Sequence, residues 1–382
     1  ALQLEIGAAI GVSLVIILAS FFVNPIWLGL IALGVSGGAF WTSWHLFDAY
    51  GGLFDPVTPS VIVLIMFVVS STLSYLKTEF ERRQVRDAFG LYISPDFMKE
   101  LTSDPDKLQL GGEIKPLTVM FTDIRSFTTI SEGLTPQELI QLMNDFLTPM
   151  SDLVMQNRGT IDKYMGDAMM AFWNAPLDDP NHERHACITA LKMNEALVPI
   201  NEQVKKKAAE IGKEPVLLNA GIGINSGPCA VGNMGSKQRF AYSTLGDAVN
   251  LASRLEGQTK NYGVNILIGE ATKEKVEDFA VLEMDLIQVK GKTQPVRIFT
   301  LLGDDVFAQS AEFQDLKSRH GAIMTAYRAG DFKTVVDLAD SAKGAAGGIL
   351  DVFFDVYKGR AKDLIETPPP KDWDGVFVAT SK

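Results

Sequence analysis

Cysteine and histidine are scarce in this chain of 382 residues, which has two of the first and four of the second. Cys187 and Cys229 cannot build a disulfide framework and suit a reducing compartment. No Cys/His set has the spacing of a zinc site. Positive charge is also in deficit. With 35 basic against 46 acidic side chains the net charge is −11, the opposite of the basic face that nucleic acid requires, so no nucleic-acid partner is expected. No G-x-x-x-x-G-K-[ST] or G-x-G-x-x-G stretch follows a strand, which excludes a P-loop and a Rossmann fingerprint. No internal repeat of fixed period is present. At 47% hydrophobic residues the chain is neither disordered nor collagen-like, and its length suits two or three folded units.

A sharper deficit is local. Residues 1–76 carry only Glu5, Asp48 and Asp55 as formal charges, leaving 78 of the 81 charged side chains to residues 77–382. Ile6 to Phe47 is an uncharged run of 42 residues, room for two membrane spans of ~20 residues with a break near Asn24-Pro25. Pro56 to Leu76 is a third uncharged run of 21 residues. A signal peptide, with an apolar stretch of only ~7–15 residues, does not come in triplicate. Three transmembrane helices over 1–76 are therefore expected. The second connection holds Asp48 and Asp55 but no Lys or Arg, whereas the exit of the third run is rich in Lys77, Arg82, Arg83 and Arg86. The positive-inside rule then puts the C-terminal portion in the cytoplasm of a multi-pass protein of the cell inner (plasma) membrane. The chain starts at Ala1 rather than Met, as a fragment or processed product would, and any missing N-terminal part would lie outside the cell.

Residues 77–112 read as a juxtamembrane helix and linker, with Val85, Phe89 and Tyr92 at helical spacing until Ser94-Pro95. Beyond it the pattern is mixed α+β. Leu117–Phe121 is a buried strand. Thr135-Pro136-Gln137-Glu138 opens a helix with a capping residue, Pro at the first turn and Glu at the third position. Gly159 to Phe172 reads as a hairpin turning at Gly166, and a helix covers about Pro180 to Ile211. Strands are expected at Val216–Ile224, Ala230–Met234, Phe240–Ser243 and near 280–300, with a helix over Ala248–Asn261. Residues 303–382 form a helical tail closed by Thr367-Pro368-Pro369-Pro370.

Two carboxylates stand at strand ends in this scheme, Asp123 after Leu117–Phe121 and Asp167 at the hairpin tip in Lys163-Tyr164-Met165-Gly166-Asp167. Hard cations such as Mg²⁺ bind one or two carboxylates and leave other positions to water and phosphates. Either Asp alone is an ordinary loop or turn residue. Asn250 and Arg254 are four apart on one helix face and offer donors for a ribose oxygen and a phosphate. Lys290 is a further basic candidate. The residues themselves lead to a Mg²⁺- and phosphate-handling α+β domain and no further.

Together these stretches resemble the class III nucleotidyl cyclase catalytic domain over about residues 113–302. The resemblance implies a ferredoxin-like βαββαβ core acting as a head-to-tail homodimer with ATP at the interface. Asp123 and Asp167 match the aspartates that hold two divalent cations, Mg²⁺ or Mn²⁺, with the carbonyl of Ile124 as a further ligand. The amides around Arg125 to Thr128, with Phe127 and Thr128, match the phosphate-binding loop. Lys163 matches the purine-reading lysine, Asn250 and Arg254 the pair that orients the ribose and stabilises the transition state, and Lys290 the triphosphate lysine. Seven residues before Asn250 many adenylyl cyclases carry Asp and a bicarbonate-responsive subgroup Thr; here Ser243 stands, beside Thr244. A hydroxyl accepts from the adenine amino group but can also donate. The membrane segment resembles that of bacterial adenylyl cyclases with a CHASE-type extracytoplasmic sensor upstream.

These matches imply a membrane-anchored adenylyl cyclase making 3′,5′-cyclic AMP and pyrophosphate from ATP. The nearest alternative is a guanylyl cyclase, which calls for Glu where Lys163 stands. A catalytically silent, merely dimerising domain would be expected to have lost one of Asp123, Asp167, Asn250 or Arg254, and none is missing. The Gly-Gly-Asp/Glu-Glu-Phe signature of a diguanylate cyclase is absent.

Overall fold

The computed structural model describes residues 25–52, 55–90, 111–210, 212, 214–236, 238–288, 295–370, 373 and 375–378. They fall into two compact units, one within Ala1–Pro95 and the other within Asp96–Lys382.

The first unit holds two helices, α1 (Pro25–Tyr50) and α2 (Val57–Gly90). Ala32 and Val63 are buried between the helices with Val35, Met66 and Phe67 against them. Among the described residues one stretch, Val57–Phe80, is long and apolar enough to cross a membrane. Three such helices were expected. The first lies in residues 1–24, outside the described residues. α1, uncharged from Pro25 to Phe47, is not counted as a second such stretch among the described residues. α2 continues past the apolar stretch to Gly90, as the juxtamembrane pattern predicts, and Tyr92 and Ser94 lie outside the described residues.

The second unit is built on one sheet. Strand β1 (Gly111–Ile124) leads through α3 (Phe127–Glu132) and α4 (Pro136–Gln156) to the hairpin β2 (Thr160–Met165) and β3 (Ala168–Trp173). Helix α5 (His182–Glu210) returns to β4 (Ala220–Gly235), giving the order β2-β3-β1-β4 with antiparallel neighbours throughout. That is the βαββαβ core of a ferredoxin-like fold. α4 starts as its sequence dictates: the Thr135 hydroxyl accepts from Glu138 N–H and the Glu138 carboxylate answers Thr135 N–H at 2.8 Å. Strand β5 (Phe240–Leu245) pairs with the far end of β4, and α6 (Asp247–Tyr262) follows. β6 (Ile266–Gly269), a single turn α7 (Glu270–Lys273), β7 (Ala280–Gln288) and β8 (Val296–Gly303) extend the sheet in the order β4-β6-β8-β7.

Two strands expected at Val216–Ile224 and Ala230–Met234 are one. Ser226-Gly227-Pro228 between them looks like a break, yet Pro228 pairs opposite Pro116 of β1. On the outer side of each proline the ladder is open, because β3 joins β1 only from Thr118 and β5 joins β4 only from Ala230. The missing N–H groups thus remove no ladder bond. β6 was not expected at all.

Alternate residues of β1 and β4 face two layers. Met120, Ile124, Ile222 and Ile224 pack with Phe146 and Met150 of α4 and Ala186 and Ala190 of α5. Leu117, Val119, Cys229 and Val231 pack with Ala248, Val249 and Ala252 of α6 on the opposite face. Gly221 and Gly223 of β4 let α6 lie directly on the sheet. A Cβ at Gly223 would stand 2.2 Å from Glu256 N and 2.3 Å from Ala252 O. The tail continues the α6 layer. After a short α8 (Asp305–Ala308), α9 (Ala311–Arg328), α10 (Phe332–Ala342) and α11 (Asp351–Glu366) bury Phe313, Leu316, Tyr327, Phe353 and Tyr357 against Leu251, Leu255 and Tyr262 of α6 and Leu282 of β7. α11 ends at Glu366, just before the expected proline run. Beyond it Trp373 rests on Tyr327 and Phe332, and β9 (Phe377–Val378) adds to β7 in parallel.

Candidate active site

Asp123 stands one residue before the end of β1, paired in register with Gly221, on the face that α6 covers. Asp167 is the second residue of a two-residue turn whose Gly166 takes a left-handed φ of 69°, a conformation glycine adopts without strain. The two carboxyls meet. Burial first, then the hydrogen bond and the charge of Asp167, then the charge of Glu256, push the Asp123 carboxyl up to about 7. Burial likewise raises Glu256, an effect that Lys260 and Arg125 oppose. Asp123 Oδ1 is buried with no hydrogen-bond partner. Two neighbouring carboxyls, one with an orphaned oxygen, form a donor set suited to a hard divalent cation. Among the described residues no group of three His, Cys, Asp or Glu side chains is placed to hold a metal ion. Further ligands would then come from the Ile124 carbonyl, water and phosphate.

The loop after β1 is fixed from both sides. Arg125 N–H donates to the Asn219 carbonyl at 2.8 Å and its guanidinium to the Val264 carbonyl. Ser126 takes a left-handed φ of 58°, rare for a residue with a Cβ, and turns the chain into α3. The Arg125 amide is thus committed, and the first amide returned into the helix is Ile130, on Ser126 O at 3.1 Å. The intervening amides of Phe127, Thr128 and Thr129 are first-turn donors with no partner inside the helix. Phe127 packs against the α4–α5 layer and Thr128 is exposed.

Lys163 and Ser243 come together from strands 80 residues apart, with Lys163 Nζ donating to Ser243 Oγ at 3.4 Å. Ser243 in turn donates to Asp162 Oδ2 at 2.7 Å, and Lys163 Nζ lies 3.3 Å from Asp162 Oδ1. Thr244, the other expected hydroxyl, is turned away and donates to the Ala230 carbonyl at 3.1 Å. Asp162 was not anticipated from sequence. It is the unpaired residue of a bulge in β2, between Ile161 opposite Ala171 and Lys163 opposite Met170.

Asn250 is exposed and Arg254 half-buried on α6. Among the described residues no hydrogen bond or ion pair ties either to Asp123 or Asp167. The structure therefore brings together a carboxyl pair with its loop and a Lys163–Ser243 pair, and among the described residues no hydrogen bond joins the Asn/Arg pair to either. Lys290 lies between β7 and β8 in residues 289–294, outside the described residues.

Residues 112–303, half of the chain, match the adenylate and guanylate cyclase catalytic domain. The chain belongs to that family. This cyclase-family chain is 33% identical over 227 residues to Adenylate cyclase 1 of Rhizobium meliloti (strain 1021), a match covering 58% of this chain and 33% of the relative. It is also 33% identical over 223 residues to an adenylate cyclase of Anabaena cylindrica, covering 57% of this chain and 43% of the relative. The cyclase-family chain thus aligns with less than half the length of each of these curated relatives. Its fold is similar to that of a bacterial light-regulated adenylyl cyclase, with a TM-score of 0.51 at 21% identity over 67% of this chain and 70% of that one.

Proposed function

We propose that this protein is a membrane-anchored adenylyl cyclase that converts ATP to 3′,5′-cyclic AMP and pyrophosphate at the interface of a homodimer. The observation that carries the reading is the meeting of Lys163 with Ser243. Adenine presents an acceptor at N1 beside a donor at its 6-amino group, and an ammonium beside a hydroxyl oxygen complements that edge. Guanine presents the reverse.

Two divalent cations, Mg²⁺ or Mn²⁺, when bound, supply Lewis acidity that eases ionisation of the ribose 3′-hydroxyl and neutralises phosphate charge. Asp123, Asp167 and the Ile124 carbonyl would hold them. The first-turn amides of α3 take phosphate oxygens, as helix N-termini do. Lys163 and Ser243 read the base in the partner half of the site. Asn250 orients the ribose, and the always-charged Arg254 guanidinium sits where negative charge builds on the reacting phosphate. Lys290 neutralises the triphosphate. One protomer supplies the carboxyls and its partner the remaining residues, giving two equivalent sites. Val57–Phe80 serves as a membrane anchor, with the catalytic unit on the cytoplasmic side.

The test is turnover of purified protein with ATP and with GTP, each with Mg²⁺ or Mn²⁺. ATP is the expected substrate, and Lys163→Glu should depress its turnover sharply. A Lys163→Glu protein that keeps its ATP-over-GTP preference would show that the base is read elsewhere.

A further inference from the structure

We propose that Asp162 is a specificity-determining positioning residue, which holds the proton of the Ser243 hydroxyl and so fixes Ser243 as an acceptor toward the base. The inference deepens the adenylyl cyclase reading and rests on it.

A serine hydroxyl is ambiguous, with one proton to give and two lone pairs to offer. Toward a purine that ambiguity is damaging, because the same oxygen can accept from the adenine 6-amino group or donate to guanine O6. The structure removes it. Asp162 Oδ2 lies 2.7 Å from Ser243 Oγ, and a carboxylate has only lone pairs to present. The Ser243 proton therefore points at Asp162. Lys163 Nζ, at 3.4 Å, addresses one lone pair of the same oxygen. A single lone pair is left for a ligand, and it can only accept.

The backbone is arranged to deliver this carboxylate. In a regular strand Asp162 would share the ladder with its neighbours, but the bulge between Ile161 and Lys163 gives β2 an extra residue there. Bulges re-aim a side chain in this way. The Asp162 side chain is fully buried, beside the half-exposed side chain of Lys163. Ser243 itself is buried, at 6% exposure. A buried carboxylate is costly unless it is paired and hydrogen-bonded, and here its partners are the two residues assigned to the base. Ser243 and Asp162 together thus present what a single Asp would present, an oxygen without a proton to donate.

The experiment compares kcat/KM for ATP and GTP in the full chain and in Asp162→Ala, Asp162→Asn and Ser243→Ala, with thermal denaturation of each as a check on folding. Asp162→Ala frees the Ser243 proton to meet guanine O6, so the ATP-over-GTP ratio should narrow by about tenfold, the worth of one base-edge hydrogen bond gained or left unmade. Asp162→Asn fills the same space and keeps an acceptor for Ser243, so its ratio should fall between Ala and the native protein. Ser243→Ala should also narrow the ratio. A purely structural Asp162 would lower both substrates together and leave the ratio in place, which overturns the proposal while the base-reading assignment stands. If instead Ser243→Ala leaves the ratio unchanged, or the native protein shows no preference for ATP, the assignment of the base edge fails and the inference falls with it.

Discussion

Gly223→Ala adds one carbon where α6 lies directly on the sheet, and its consequence can be worked from distances. The new Cβ would stand 2.2 Å from Glu256 N, 2.3 Å from Ala252 O and 2.8 Å from Glu256 Cα. All three atoms belong to the α6 backbone, which cannot swing aside as a side chain would. Carbon contacts settle near 3.5–4.0 Å, so α6 has to retreat by about 1 Å. Gly223 has no left-handed φ, so the strain is entirely steric. Overpacking of this kind costs about 1–3 kcal/mol, which for a unit of this size lowers Tm by roughly 3–10 °C. Activity should suffer more. Asn250 and Arg254, proposed above to act on ribose and phosphate, ride on α6, and a ~1 Å misplacement of catalytic groups can cost ~10²-fold in turnover. The assay is cyclic AMP formation at a temperature where circular dichroism shows the variant fully folded. Turnover within threefold of the native protein, at an unchanged Tm, would refute the claim that these glycines set the height of the helix.

The Asp123 carboxyl, with an ordinary value of 3.8 and pushed up to about 7 in the fold, binds its proton more readily folded than unfolded. Without divalent cation, stability must fall as pH rises from about 4 to about 7. Asp123→Asn removes that penalty: its Tm should exceed the native one at pH 8 and converge with it below about pH 3.8. Mg²⁺ should raise the native Tm at pH 8 and leave that of Asp123→Asn unmoved; equal Tm values at pH 8 without metal would contradict the shift. The divided site predicts complementation. Asp167→Ala and Arg254→Ala chains should each be nearly inactive, and their co-assembly should restore about a quarter to a half of native turnover, because a mixed dimer keeps one complete site of two. Heterodimers that form and stay dead would exclude a shared site.

Features that rest on local chemistry were legible in the sequence. The Thr135–Glu138 box, the Gly166 turn and the Asn250/Arg254 spacing each depend on residues within four positions of one another. What sequence reading missed depends on distant partners. Pro228 is harmless in β4 only because of where β3 and β5 stop pairing. Asp162 looked like one more polar strand residue until the bulge aimed it at a serine 81 positions away. Glu256 shares a helix with Arg254 and faces the sheet, where only the fold brings it near Asp123. Thr244 and Ser243 are adjacent and chemically alike, and strand alternation alone sends one hydroxyl to the Ala230 carbonyl and the other to Lys163 and Asp162.

The three tail helices alter where the working unit has to be cut. The family match stops at Gly303, but the far end of α6 is knotted to residues well past it. Tyr262 donates to Asp285 Oδ2 at 2.6 Å, and Arg360 of α11 donates to the same oxygen at 2.5 Å while its guanidinium lies over the rings of Tyr262 and Tyr357. Asp285 is almost wholly enclosed, and a buried charge stripped of its partner is among the costliest losses a fold can suffer. A piece ending at Gly303 would strand Asp285 and lay bare the Leu255, Tyr262, Leu282 and Met284 surface, a broad apolar patch of the kind that aggregates. The smallest soluble, active portion of this chain should accordingly run through Glu366 rather than to the boundary that family resemblance draws.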